Sequence, residues 1–300
     1  MSNYIVKDVE LELSTLCQAE CPLCYRNYKT FTEHYPEELV RPLDEVILQL
    51  EGYKDLEWIR LVGSISEPTL YPYFLELVKY IKSRDINIEI CTNGSTRTTK
   101  WWQELASLMD KNDSVYFSIC GSTQELHNIY RTNTSLKKIL NNAEAFREIL
   151  AIDYAQMIRF DYNDKDFDTP EMAKMLKDFT NIYWTETFLL KDTSNYVNRL
   201  NLNKLKPYQG KIKEYELVEK IATLKFDKGL SKEANCKAFN EGRLQIDIDG
   251  KEWPCYLTLE AQIDPNWTWE DILSMKYNAC KFCEKSIVQI CDEKDLDYII

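Results

Sequence analysis

The chain has 300 residues, 44% apolar and 12% aromatic, enough to bury one large core and too rich in Trp, Tyr and Phe for a disordered protein. Its 37 Lys+Arg against 49 Asp+Glu give a net charge of −12, which disfavours general binding to nucleic acid or to an anionic membrane. No apolar run approaches the roughly 18 residues of a membrane span, and the polar start MSNYIVKDVE lacks the apolar stretch of a signal peptide, so a soluble cytoplasmic protein is expected. In that reducing compartment ten cysteines read as metal or cluster ligands, catalytic thiols or small buried residues rather than as disulfides.

Short apolar runs predict strands at 4–13, 57–62, 87–91, 114–119, 154–161 and 181–190, and helical periodicity falls near 42–51, 70–83, 99–109, 135–150 and 169–178. This alternation predicts an α/β fold, an open or partial (β/α)6 TIM barrel with its chemistry at the C-terminal ends of the strands. Only 8 residues are glycine. Three of them, Gly63, Gly94 and Gly121, fall at or just past the second, third and fourth strands, marking tight turns or close backbone approaches on one rim. From about 191 to 235 the pattern loosens, and over 191–237 the 11 Lys+Arg against 6 Asp+Glu give a local +5. That stretch reads as a bridge with a helix at 211–224, its charge either a solvated face or an attractor for an acidic or phosphorylated substrate. Beyond it, RLQIDIDGKEWPCYL reads as a hairpin turning at Asp249-Gly250. The expected organisation is a core over 1–190, a bridge over 191–235 and a small C-terminal domain over 236–300.

Cys17, Cys21 and Cys24 stand in CQAECPLC, directly after the first strand. Three thiolates so spaced can hold three corners of a cubane iron–sulfur cluster and leave one iron without a protein ligand. Zinc would need a fourth Cys or His, and the next histidine, His34, is ten residues on. This segment resembles the CX3CX2C loop of the radical S-adenosylmethionine (SAM) superfamily, which follows the first strand of a partial TIM barrel. The resemblance implies a [4Fe-4S] cluster whose open iron is chelated by SAM, reductive cleavage to methionine and a 5′-deoxyadenosyl radical, and hydrogen abstraction from a substrate.

Further matches extend over most of 4–190. In LVGSISEPTLYP, Ser66 and Glu67 resemble the family's Gly-Gly-Glu-Pro segment, where polar groups hold the SAM ammonium, with Ser66 in place of the usual glycine. Thr92, Asn93 and Gly94 resemble its Thr-Asn-Gly turn. Ser118 and Arg131 resemble the hydroxyl and guanidinium directed at the SAM carboxylate, a role that suits the planar fork of arginine, and Tyr25 stands where the family places a residue near adenine. Structural roles compete: Glu67 as a helix-capping acid, Arg131 as a surface ion pair, Ser118 as a small strand residue.

Cys236, Cys255, Cys280 and Cys283 form a second set, C-x18-C and a later C-x2-C. Four thiolates can close an iron–sulfur cluster or a structural zinc site. Their spacing resembles the twitch form of the SPASM/twitch extension, which implies one auxiliary [4Fe-4S] cluster; with only Cys291 beyond Cys283, a full SPASM set is missing.

Strand parity places Val9, Leu11 and Leu13 toward the helices and Glu10, Glu12 and Ser14 inside, and likewise sends Arg159 and Asp161 inward, as substrate-positioning groups or an ion-pair network. Cys120 shares the parity of Ser118 and is a candidate to return a hydrogen atom to a substrate radical, or is simply a buried residue. The resulting expectation is a radical SAM enzyme acting on a peptide in natural-product maturation, served by a flavodoxin- or ferredoxin-like electron donor. Because no leader-peptide module precedes the first strand, dehydrogenation or epimerisation of a sugar or cyclitol stays close behind. A non-catalytic scaffold with two zinc sites is the alternative of another class.

Overall fold

Alternate side chains of the first strand, β1 (Asp8–Leu11), meet two environments: Val9 and Leu11 lie in the apolar core, while Asp8 and Glu10 face a polar interior. The computed structural model describes residues 5–27, 29–186, 204–206 and 242–253. Strands β2 (Trp58–Leu61), β3 (Asn87–Thr92), β4 (Ser114–Ser118), β5 (Asp153–Arg159) and β6 (Asn181–Glu186) follow β1 in order, each parallel to its predecessor. Helices α1 (Lys29–His34) and α2 (Leu43–Glu51) follow β1, α3 (Phe74–Ser83) follows β2, α4 (Thr99–Leu108) follows β3, α5 (Gln124–Tyr130) and α6 (Leu136–Arg147) follow β4, and α7 (Pro170–Leu176) follows β5. This is the α/β order expected of a partial barrel. The helices α1 and α5, of six and seven residues, are not among the helices read from the sequence.

Strand β7 (Arg243–Ile246) pairs parallel with the free side of β1, and β8 (Glu252–Trp253) runs antiparallel to β7. The expected hairpin is therefore present, and its described residues continue the barrel sheet. The expected helix at 211–224 and Cys236, Cys255, Cys280, Cys283 and Cys291 lie outside the described residues.

The core fills the layer between sheet and helices, where Ile59, Ile88, Val115 and Phe117 of the strands meet Leu50, Leu77, Trp102 and Phe146 of the helices. Thr98, Thr123, Ser135 and Thr169 start α4, α5, α6 and α7, each side-chain oxygen accepting a hydrogen bond from an otherwise unpaired backbone N–H of the first turn. Inside the barrel, charge is paired at the strand starts: Arg60 meets Asp8 at 2.9 Å and Glu89 at 2.7 Å, and Arg243 meets Asp8 at 3.3 Å. Above them the rings of Tyr116 and Tyr154 stack at 4.8 Å, with Tyr183 edge-on to Tyr116 at 5.9 Å.

That stack corrects one parity expectation. Tyr154 shares a face with Tyr116, and Ala155 and Met157 belong to the core, so alternation along β5 sends Gln156 and Ile158 inward and Arg159 to the opposite side. Both faces of this strand carry apolar residues, which is why the sequence misled by one position. No helix among the described residues is long and apolar enough to cross a membrane.

Candidate active site

The three-cysteine loop leaves the C-terminal end of β1 and is fastened on every side. Glu20 N–H donates to Thr132 O at 3.1 Å, Asn133 Nδ2 to Gln18 O at 2.7 Å, and Asn27 Nδ2 to Cys21 O at 2.6 Å. Cys24 N–H closes a tight turn onto Cys21 O at 3.0 Å. Arg26 Nη1 donates to Cys17 O at 3.2 Å, and Arg26 places its positive charge beside Cys17 and Cys24. Tyr25 leads a short 3-10 turn, its ring edge-on to Phe31 at 5.9 Å in an apolar cluster with Ile65 and Ile248. That cluster joins the cysteine loop, the loop after β2 and the β7–β8 hairpin.

Burial pushes the Cys17 thiol up to about 12 and the Cys21 thiol up to about 11, with Arg26 and Arg131 respectively pulling them back. Cys24 is raised for the same reason.

The loop after β2 is held by three buried carboxylates. Glu67 receives Thr69 N at 3.2 Å, Thr69 Oγ1 and Thr92 Oγ1 at 2.6 Å and Asn93 N at 2.7 Å, and so knits the ends of β2 and β3 together while capping a 3-10 turn. Burial raises its pKa against these four donors. On the barrel side Glu12 receives Ile65 N at 3.2 Å and Ser66 Oγ at 3.0 Å, and Glu10 receives Ser64 Oγ at 2.9 Å. Burial lifts Glu10 to about 7 and Glu12 to about 8. Gly63 makes the turn possible: its φ is +62°, and a Cβ there would lie 2.4 Å from Ser66 O.

At the end of β4, Ser118 is buried on the inward face, paired in register with Gln156. Cys120, fully buried, is clamped through its backbone: its N–H donates to His127 Nδ1 at 3.2 Å, and its carbonyl accepts from Tyr162 at 3.2 Å and Asn163 at 3.1 Å. Arg131, ending α5, lies beside the thiols of Cys21 and Cys120 and over the ring of Tyr130 at 5.1 Å. Burial, together with the Arg131 charge, pushes His127 down to about 3, so it is a neutral link. Its Nε2 meets Thr134 Oγ1 at 2.8 Å, and that hydroxyl donates to Arg131 O at 2.6 Å.

The structure thus gathers Tyr25, Ser66, Glu67, Asn93, Ser118, Cys120 and Arg131 with the three cysteines at one rim. Arg159 and Asp161 stand apart from that network: Arg159 donates to Asp164 at 2.5 Å, and Asp161 N–H donates to Lys206 O at 3.1 Å. Sequence reading overlooked Gln18, whose partner Asn93 lies 75 positions away, and Arg26, which reaches back to the Cys17 carbonyl. Glu12 was legible only as an inward-facing position.

Among the described residues no three His, Cys, Asp or Glu side chains converge to chelate a single metal ion. A cubane asks for something different, since each cysteine binds its own iron. The donor set fits such a group: three thiols on one short loop, flanked by Arg26 and Arg131, whose buried Nε atoms have no hydrogen-bond partner among the described residues. Anionic cluster and carboxylate ligands are what such spare donors suit.

The family model of the radical SAM superfamily matches residues 11–181. The chain belongs to that superfamily and is an enzyme of the radical SAM class, for which the family implies SAM and a [4Fe-4S] cluster. A tungsten-containing aldehyde ferredoxin oxidoreductase cofactor-modifying protein of Pyrococcus furiosus is 30% identical over 122 residues, 38% of this chain; the match spans 31% of that relative's length. Streptococcus suis SuiB bound to S-adenosylmethionine superposes with a TM-score of 0.63 at 13% identity, covering 94% of this chain and 72% of SuiB. The structure of anSMEcpe with AdoMet and the Cp18Cys peptide gives 0.56 at 17% identity, covering 95% of this chain and 86% of that one.

Proposed function

We propose that this chain is a SPASM/twitch-type radical SAM enzyme that modifies a peptide in natural-product maturation inside the cell, with a flavodoxin- or ferredoxin-like protein as electron donor. The observation that carries the proposal is the half-buried three-cysteine loop flanked by Arg26 and Arg131 at the C-terminal rim of the sheet. When bound, the cluster and SAM supply a 5′-deoxyadenosyl radical that abstracts a substrate hydrogen. Cys17, Cys21 and Cys24 hold the cluster. Ser66, Glu67 and Asn93 shape the ammonium side of the SAM site, Ser118 and Arg131 receive the carboxylate, and Tyr25 lies toward adenine. Cys120 returns a hydrogen atom to the substrate radical and becomes a thiyl radical, which one electron from the flavodoxin- or ferredoxin-like donor and a proton from solvent restore to the thiol, and Asp161 guides the substrate. Cys236, Cys255, Cys280 and Cys283 hold an auxiliary [4Fe-4S] cluster in the C-terminal region over 236–300, reached from the core over 1–190 by the bridge over 191–235 and including β7 and β8, which extend the core sheet.

The peptide assignment is supported by fold similarity to proteins crystallised with the precursor peptide SuiA and with Cp18Cys. The Tyr116–Tyr154 stack inside the barrel favours a second reading, a ring substrate such as a sugar or cyclitol, because flat aromatic faces receive such rings. Anaerobic reconstitution followed by iron and sulfide assay, and a dithionite-dependent assay for 5′-deoxyadenosine, test the class. Cluster absorbance with nucleoside formation is expected; zinc at this loop, or intact SAM under strong reductant, would refute it. Incubation with candidate peptides and cyclitols, read by mass spectrometry, then separates the two substrates.

A further inference from the structure

Glu12 follows β1 immediately, faces the barrel interior and is 1% exposed. Its two oxygens are engaged by consecutive residues of the loop after β2, Ile65 through the backbone N–H at 3.2 Å and Ser66 through the hydroxyl at 3.0 Å. The residue before them, Ser64, is tied to β1 as well, by its 2.9 Å bond to Glu10. The far end of the loop is fixed independently, Glu67 N–H donating to Leu16 O at 2.7 Å. Serine at 66 is the departure from the glycine of the family segment, and glycine has no hydroxyl to offer Glu12.

We propose that Glu12 is a positioning residue of the SAM site and that Glu12 and Ser66 act as a pair, together setting the loop that receives the SAM ammonium. The proposal rests on the SAM-site assignment of Ser66 and Glu67 above. Glu12 itself is out of water, so its two oxygens depend on the Ile65 N–H and the Ser66 hydroxyl, and those donors lose a fixed acceptor when Glu12 is removed. Glu12 acts through the loop and not by touching SAM, so its removal should weaken SAM binding while leaving cluster assembly alone.

The test compares anaerobically reconstituted wild type with Glu12→Ala, Glu12→Gln, Ser66→Ala and the Glu12→Ala/Ser66→Ala double variant. Equilibrium dialysis gives the SAM Kd, and EPR of the reduced cluster is recorded with and without SAM. Loss of both bonds in Glu12→Ala should raise Kd about tenfold or more, and loss of one in Ser66→Ala about threefold to tenfold. Glu12→Gln keeps an acceptor oxygen and should recover most of the affinity. The double variant should be no worse than Glu12→Ala, since the partners share one interaction. Iron content and the SAM-free EPR spectrum should match wild type throughout.

Kd values within about twofold of wild type in Glu12→Ala and Ser66→Ala, or additive losses in the double variant, would overturn the proposal. If Glu12→Ala does not fold, Ser66→Ala and Glu12→Gln decide: an unchanged Kd in Ser66→Ala overturns it, and a raised Kd with Glu12→Gln close to wild type supports it. Wild type that binds no SAM would overturn the underlying site assignment as well, so the two failures are distinguishable.

Discussion

Gln18 and Asn93 meet through both ends of their side-chain amides, Gln18 Nε2 donating to Asn93 Oδ1 at 2.8 Å and Asn93 Nδ2 to Gln18 Oε1 at 3.3 Å. The pair bolts the loop between Cys17 and Cys21 to the turn after β3, which Glu67 also holds through Asn93 N. Gln18→Ala should remove about 1 kcal/mol of that support. The expected result is less iron retained after reconstitution and gel filtration, with unchanged far-UV circular dichroism.

Gly121 sits where α5 packs closest to the end of β4. A Cβ there would lie 2.5 Å from Leu126 Cβ and 2.6 Å from His127 N, contacts that backbone cannot yield cheaply. Gly121→Ala should therefore cost about 1–3 kcal/mol. Because Arg131 ends the same helix, SAM affinity should fall along with Tm, whereas a surface change such as Lys79→Ala should leave both unchanged.

His127 should stay neutral down to acid pH, with its proton on Nε2, because Nδ1 accepts the Cys120 N–H. Its pKa of about 3 in the fold lies below the ordinary 6.5 of the unfolded chain. The unfolded state then binds the extra proton first, so the contribution to stability is complete above pH 6.5 and is lost as pH falls toward 3. NMR of the imidazole should show no titration between about pH 5 and 8, and denaturant midpoints should decline on acidification. In His127→Gln that part of the decline should vanish.

Cys120 lies two residues past β4, fully buried, with its backbone held by His127, Tyr162 and Asn163. If it returns a hydrogen atom to substrate, Cys120→Ala should leave reductive cleavage of SAM within about twofold and abolish epimerised product, a commitment that product formation in the variant would remove.

The alternation of the six strands with their longer helices, the polar face of β1 and the three-cysteine loop were legible in the amino-acid string. Each depends on near neighbours: a two-residue alternation, a helical period, or a fixed spacing of thiols. The string could not say that Gln18 finds Asn93, that Glu12 takes up the hydroxyl of Ser66, or that His127 stays uncharged beneath Cys120. The first two pairings span 75 and 54 positions and arise only when parallel strands bring successive loops to one rim, while the third spans seven and depends on how α5 turns back onto the end of β4. For β5 even the local rule failed, because both its faces are partly apolar and only packing against Tyr116 and the helices chose between them. Residue spacing determined which chemistry this chain carries; the tertiary structure decided which buried charges and amides hold that chemistry in place, because burial makes a polar group depend on whichever partner the fold delivers.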